Sequence, residues 1–265
     1  MQQQFSDIIN SQSGKVGFVL GLGSSLRQHV PTIMEWQKDK SKCGIISCNN
    51  IDLMLPEIDI DYWILAQPAD VTNPLCIILA HDRYNSRPNT TLLYTDCLDL
   101  TPREQVARLL TGNYIGYDQR HYKSEPCGWG ELAGGRHTCC QHIIEGRLCI
   151  QEEFKKYTGG DELYGNADTV GVHMVALAVM LGFKTIYISG IDLDYTNGYV
   201  NNNANVDTDR RIEMGKSVMA NRKMLDRILD DMAIIKRSAE KVGTSIYCFN
   251  EGVISSVFEV KQPQA

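Results

Sequence analysis

The segment "DTVGVHMVALAVMLGFKTIYISGIDLD", Asp168 to Asp194, constrains the fold more than any other. Its first half is apolar nearly all round, so a helix over about Thr169 to Leu181 has no face suited to water and must be buried. Its second half is a continuous β-branched and apolar run, the pattern of a strand covered on both faces in a parallel sheet. A buried helix feeding a buried strand requires a layered α/β fold. The strand then ends in Gly190 and two aspartates, Asp192 and Asp194, a costly place for charge unless something binds it.

Other segments repeat the rhythm. "KVGFVL", "KCGIISC", "DYWILA", "PLCIILA", "TTLLY" and "TSIYCF" read as strands, and "GVISSVFEV" as a short terminal piece. Apolar residues at helical spacing (Met224, Leu225, Ile228, Leu229, Met232, Ile235) predict a long helix stopped by Gly243. Strands alternating with helices give a doubly wound, mainly parallel sheet in one α/β domain over residues 1–265. Two stretches break the pattern. Residues from about 101 to 168 are rich in Gly, aromatics, His and Cys and read as an irregular insertion, and the polar stretch from about 196 to 222 reads as a lid.

Composition excludes several classes. A net charge of −6 over 265 residues argues against a dedicated nucleic-acid binder, whose phosphate contacts need clustered Lys and Arg. No apolar run reaches membrane-spanning length and the start is polar, so neither a membrane span nor a signal peptide is expected. Nine cysteines in scattered contexts, with Cys48 and Cys248 inside apolar runs, fit reduced thiols in a cytoplasmic protein.

Three features carry chemistry. "GLGSSL", Gly21 to Leu26, joins a strand to a helix. Its glycines and Ser24 and Ser25 suit close approach of backbone N–H groups to a phosphate, although a tight turn with Ser24 or Ser25 as a helix cap reads equally well. It lacks the Gly-Lys-Ser/Thr ending of a P-loop and the third glycine of a dinucleotide fingerprint. The polar strand ends Asn49, Asn50, Gln67, Asp96, Asp192 and Asp194 fit the rule that ligands of open α/β sheets bind beyond the carboxyl ends of strands. Asp192-Leu193-Asp194 also matches a metal-holding Asp-x-Asp pattern, whereas Asp59 to Asp61 reads as a plain loop. Cys127, His137, Cys139, Cys140 and His142 are close enough in sequence to consider zinc, but adjacent Cys139 and Cys140 favour a free-thiol loop, so no metal site is assigned. Arg136 and Arg147 flank that cluster and suit either an anionic ligand or a solvated surface. His173, inside the apolar helix, reads as a satisfied core histidine.

Taken together, several segments resemble a known family. "GFVLGLGSSLRQ", "ISCNNIDLM", "ILAQPAD", "TVGVHMVALAVMLGFKTIYISGIDLDY" and "SIYCFNEGVISSVFE" are similar, in order and spacing, to motifs of bacterial sialyltransferases of the Campylobacter lipooligosaccharide type. They also resemble the related MptE-like 6-hydroxymethylpterin diphosphokinase family, which includes flagellin-glycosylating motility accessory factors. The resemblance implies a Rossmann-like, GT-A-type domain with a nucleotide across Gly21, Gly23, Ser24, Ser25, Asn49, Gln67, Thr169, Gly171, Gly190 and Asp192.

It further implies a glycosyltransferase that moves a sugar, such as a nonulosonic acid from a CMP-sugar, to a glycan or protein acceptor. Tyr195 and Tyr199 would hold the leaving phosphate, with Asp194 as the catalytic carboxylate. The family pattern has an asparagine where Leu22 stands, an arginine near Ala167 and a lid histidine, yet no histidine follows His173. Either a carboxylate such as Asp194, Asp207 or Asp209 then takes the base role, or the chemistry differs. Two alternatives stay open: an ATP-dependent diphosphokinase acting on a hydroxymethyl pterin, in which carboxylates hold Mg²⁺, and a non-catalytic nucleotide-binding module. Homo-oligomerisation is a further expectation by analogy.

Overall fold

The apolar runs become strands β1 (Val16–Leu20), β2 (Cys43–Cys48), β3 (Tyr62–Leu65), β4 (Thr91–Thr95), β5 (Asn113–Tyr117), β6 (Thr185–Ser189), β7 (Ser245–Cys248) and β8 (Glu259–Val260). These come from a computed structural model describing residues 3–65, 83–95, 112–117, 149–161, 163, 169–193, 200 and 222–264. Among them, the eight strands form one sheet in the order β5-β4-β3-β2-β1-β6-β7-β8, every neighbouring pair parallel. This is the doubly wound α/β architecture expected from the alternation of strands and helices.

The chain builds outward from β1 to β5, then returns to the other side of β1 to add β6, β7 and β8. Successive side chains of a strand point to opposite faces, and the packing on β1 shows which layer covers each. Phe18 meets Trp36 of α1 (Val30–Trp36) edge-on at 5.8 Å between ring centroids. Gly17, one residue earlier, faces the ring of Phe183; a Cβ there would lie 2.7 Å from it. Phe183 follows α4 (Val170–Met180), which covers that second face together with α3 (Ile150–Thr158) and α5 (Arg222–Lys241). The connections around β1 and β6 thus lie on opposite faces, the arrangement beyond which ligands of open α/β sheets bind.

Local sequence explains the layers. Every α4 residue from Gly171 to Met180 is buried, as its lack of a polar face requires. Thr169 caps α4, its hydroxyl accepting the Gly171 N–H at 3.2 Å. At its other end Gly182 adopts φ +82°, the left-handed stop favoured by glycine. Cys48 and Cys248 are buried in the core and in no disulfide, with burial pushing the Cys248 thiol up from its ordinary value. No helix among the described residues is long and apolar enough to cross a membrane.

Two features differ from the reading of the sequence. The stretch 101–168, expected as an irregular insertion, contributes β5 to the sheet and α3 to the helical layer. β5 buries Tyr114 and Ile115, but Gly112 and Gly116 break the apolar pattern around them. On α3, Ile150 and Phe154 form a buried stripe of one turn, too brief to stand out among its charges. The loop at Asp59–Asp61 also does structural work, because Asp61 accepts the Ile45 N–H at 2.7 Å and pairs with Lys40 at 3.0 Å. The expected strand at 74–82 lies outside the described residues, as does the lid of 196–222 apart from Val200 and Arg222.

Candidate active site at the β1–β6 divide

The exits of β1 and β6 touch. Gly21 N–H donates to Ser189 O and Gly23 N–H to Gly190 O, both at 2.8 Å. The glycines are required by this approach. A Cβ on Gly23 would stand 2.8 Å from Gly190 O, and one on Gly190 would stand 2.7 Å from Gly21 O, distances that real Cβ atoms do not adopt. Gly190 also has φ +70°, a conformation costly for other residues.

Asp192 locks the junction. Its Oδ2 accepts the Ser25 N–H at 3.0 Å, and its Oδ1 accepts a short hydrogen bond from the Ser25 hydroxyl. The same hydroxyl oxygen accepts the Gly190 N–H at 3.3 Å. Ser25 lies in the first turn of a 3₁₀-helix, Ser24–Gln28, whose cap position is Gly23 with no capping side chain of its own. A carboxylate from β6 therefore satisfies that turn, where local capping by Ser24 or Ser25 was one reading of the sequence. The turn amides expected to cradle a phosphate are correspondingly engaged within the protein at Gly21, Gly23 and Ser25.

Neighbouring elements converge on the same edge. Gly171 at the start of α4 meets the Ile191 side chain, which would lie 3.0 Å from an added Cβ. Leu193 adopts φ +52° while buried in the core, a strained conformation for a bulky residue. The chain is next described at Val200, whose N–H donates to Leu22 O at 2.9 Å and whose carbonyl accepts from Arg27 Nε at 2.7 Å. Asn49 directly follows β2, one strand beyond β1 and so about 10 Å from β6 by ordinary strand spacing. Its φ is +49°.

The structure also supplies a histidine that the sequence reading missed. His29 follows the 3₁₀-turn, is buried, and bonds Ser189 Oγ through Nδ1 at 2.8 Å. It stacks on Phe249 with centroids 4.5 Å apart. Burial lowers its pKa, and the charge of Asp192 partly opposes this. His173, by contrast, is the core residue its apolar helix implied, with Nε2 3.3 Å from the Gln151 amide nitrogen.

Gly21, Gly23, Ser24, Ser25, Thr169, Gly171, Gly190 and Asp192 are therefore gathered at one divide, with Asn49 on the same edge. Gln67, Asp96, Asp194, Tyr195, Tyr199, Asp207 and Asp209 lie outside the described residues, as do the Cys127–His142 cluster, Arg136 and Arg147. Among the described residues, no three His, Cys, Asp or Glu side chains are grouped to hold a metal ion.

A family model described as "Alpha-2,3-sialyltransferase (CST-I)" matches residues 142–237. Over that segment the chain is similar to the sialyltransferases. The sialyltransferase-type segment contains α3, α4, β6 and the Gly190–Leu193 exit, and the match bears out the relation implied by the motifs. Two solved structures are similar at low identity. One is the sialyltransferase CstII from Campylobacter jejuni in complex with a substrate analogue, cytidine-5'-monophosphate (15% identity, 94% of this chain, 85% of that chain, TM-score 0.44). The other is the MAf glycosyltransferase from Magnetospirillum magneticum AMB-1 (14% identity, 95% of this chain, 34% of that chain, TM-score 0.46). No curated protein matches the chain in sequence.

Proposed function

We propose that the chain is a glycosyltransferase that takes a nonulosonic acid from a CMP-sugar and passes it to a hydroxyl of a glycan or protein. The observation that carries this reading is the junction of the Gly21–Ser25 turn with the Gly190–Asp192 exit, at the reversal of strand order and beside a sialyltransferase-type segment. The nucleoside lies toward Asn49 and Gln67, and the phosphate toward Thr169–Gly171, where the helix start favours negative charge. Because the turn amides are engaged within the protein, Gly21, Gly23, Ser24 and Ser25 form the floor that carries Asp192.

In the transfer, the acceptor oxygen bonds to the anomeric carbon while the bond from that carbon to the phosphate oxygen breaks, its electron pair leaving on CMP. The acceptor proton passes to Asp194, and Tyr195 and Tyr199 donate hydrogen bonds to the departing phosphate. Asp192 places negative charge beside the oxocarbenium-like centre. This chemistry needs no metal ion. CMP release from a CMP-nonulosonic acid tests it: Asp194→Ala and Tyr195→Phe should each slow turnover about 10²-fold. Full turnover in both variants would overturn the assignment.

A further inference from the structure

Outside the β1–β6 junction, a closed polar arrangement among the described residues surrounds Asn49. The backbone of this left-handed residue is held on both sides by β3: its N–H donates to Ile64 O at 3.0 Å, and its carbonyl accepts the indole N–H of Trp63 at 2.9 Å. Trp63 is almost wholly buried, and Arg83 lies over its ring with the guanidinium carbon 5.6 Å from the centroid. Arg83 forks onto both carboxylate oxygens of Asp52 through two short hydrogen bonds and approaches Asn50 Oδ1 at 3.5 Å. Asp52 lies in α2 (Ile51–Met54), the turn that starts directly after Asn49 and Asn50, so the circuit closes on itself.

We propose that Trp63, Arg83 and Asp52 are positioning residues for nucleotide selection, acting through Asn49. The inference rests on the nucleotide site proposed above. A planar guanidinium suits the place because it can fork onto a carboxylate while stacking on an indole, and a lysine cannot do both. The Asp52 side chain is 5% exposed and that of Arg83 23%, so solvent screens the pair little and its geometry is fixed. With its backbone bracketed in this way, the left-handed Asn49 is held at one place on the edge, lowering the ordering cost of binding. The circuit ties neither Gly190 nor Asp192, so it tunes recognition of the nucleoside and not the transfer step.

The test is a double-mutant cycle read as the Kd for CMP, with UMP and GMP as competitors and the Tm of each variant as a check on folding. Arg83→Lys keeps the charge but loses the fork, and Trp63→Phe keeps the ring but loses the N–H. Each should weaken CMP binding about tenfold and narrow its preference over the other nucleotides, and each should have no further effect once Asn49→Ala is present. Equal losses with and without Asn49→Ala, or unchanged CMP binding in both variants, would overturn the inference. The two variants reach Asn49 by different routes, so failure of one to fold leaves the other to decide. A wild-type protein that binds none of the nucleotides sinks the functional reading and this inference together, whereas normal wild-type binding with indifferent variants sinks this inference alone.

Discussion

Two aspartates at the carboxyl edge of one sheet meet their surroundings in opposite ways. Asp52, beyond β2, is buried and answered by a full positive charge, Arg83, which forks onto both its oxygens. Asp192, beyond β6, is half-buried and answered by a backbone N–H and a hydroxyl of Ser25. The first arrangement cancels its charge and serves as framework. The second fixes a carboxylate in place through uncharged donors, at the point where the strand order reverses. Under the proposed function, Asp52 is the structural acid of this edge and Asp192 the working one, told apart by their partners and not by their residue type.

That contrast can be broken from either side. Asp192→Asn should have the largest effect, lowering kcat/KM for the CMP-sugar by about 10²–10³-fold, because the charge near the developing cation is gone. It should cost only about 1 kcal/mol of stability in urea unfolding, since the amide still bonds Ser25. Asp52→Asn should show the reverse: about 3 kcal/mol lost on unfolding, because Arg83 is left with no compensating charge, and kcat unchanged. Equal catalytic damage from both substitutions would erase the distinction. Thr169→Val, which removes the hydroxyl cap of α4 beside the same edge, should cost about 1 kcal/mol by the same measurement.

A smaller effect sharpens the picture of the working side. His29 has its pKa lowered mainly by burial, so the folded protein binds a proton there less readily than the unfolded chain does. Stability should therefore be level above the ordinary histidine value of 6.5 and fall as pH drops below it, because the unfolded state takes up the proton first. His29→Gln should flatten that slope between pH 7.5 and 5, measured as urea midpoints. An identical slope would remove His29 as its source.

How much of this was legible in the sequence depended on whether the signal was local. The α4–β6 unit was, because a helix without a polar face followed by an unbroken apolar strand admits few environments; the expected helix of about Thr169 to Leu181 emerges as Val170–Met180 with those two residues as its caps. The approach of Gly21 and Gly23 to Gly190 was half legible. Their positions at strand ends were readable, but their reason, contact between two backbones, joins segments more than 160 residues apart. His29 gave no signal in "SSLRQH", and its role comes from Ser189 on another strand. The Asn49 circuit was invisible for the same cause: Trp63 reaches Asn49 across 14 positions and Arg83 reaches Asp52 across 31, with no spacing rule to betray them.

Under the proposed function, a CMP-bearing donor occupies the divide between β1 and β6. Thermal unfolding with CMP, UDP, GDP and ATP, each with and without Mg²⁺, measures it most directly. CMP alone at a hundredfold excess over its Kd should raise Tm by about 5–10 °C, with Mg²⁺ making no difference. Stabilisation by ATP and Mg²⁺ with none by CMP would contradict the account and favour diphosphate transfer.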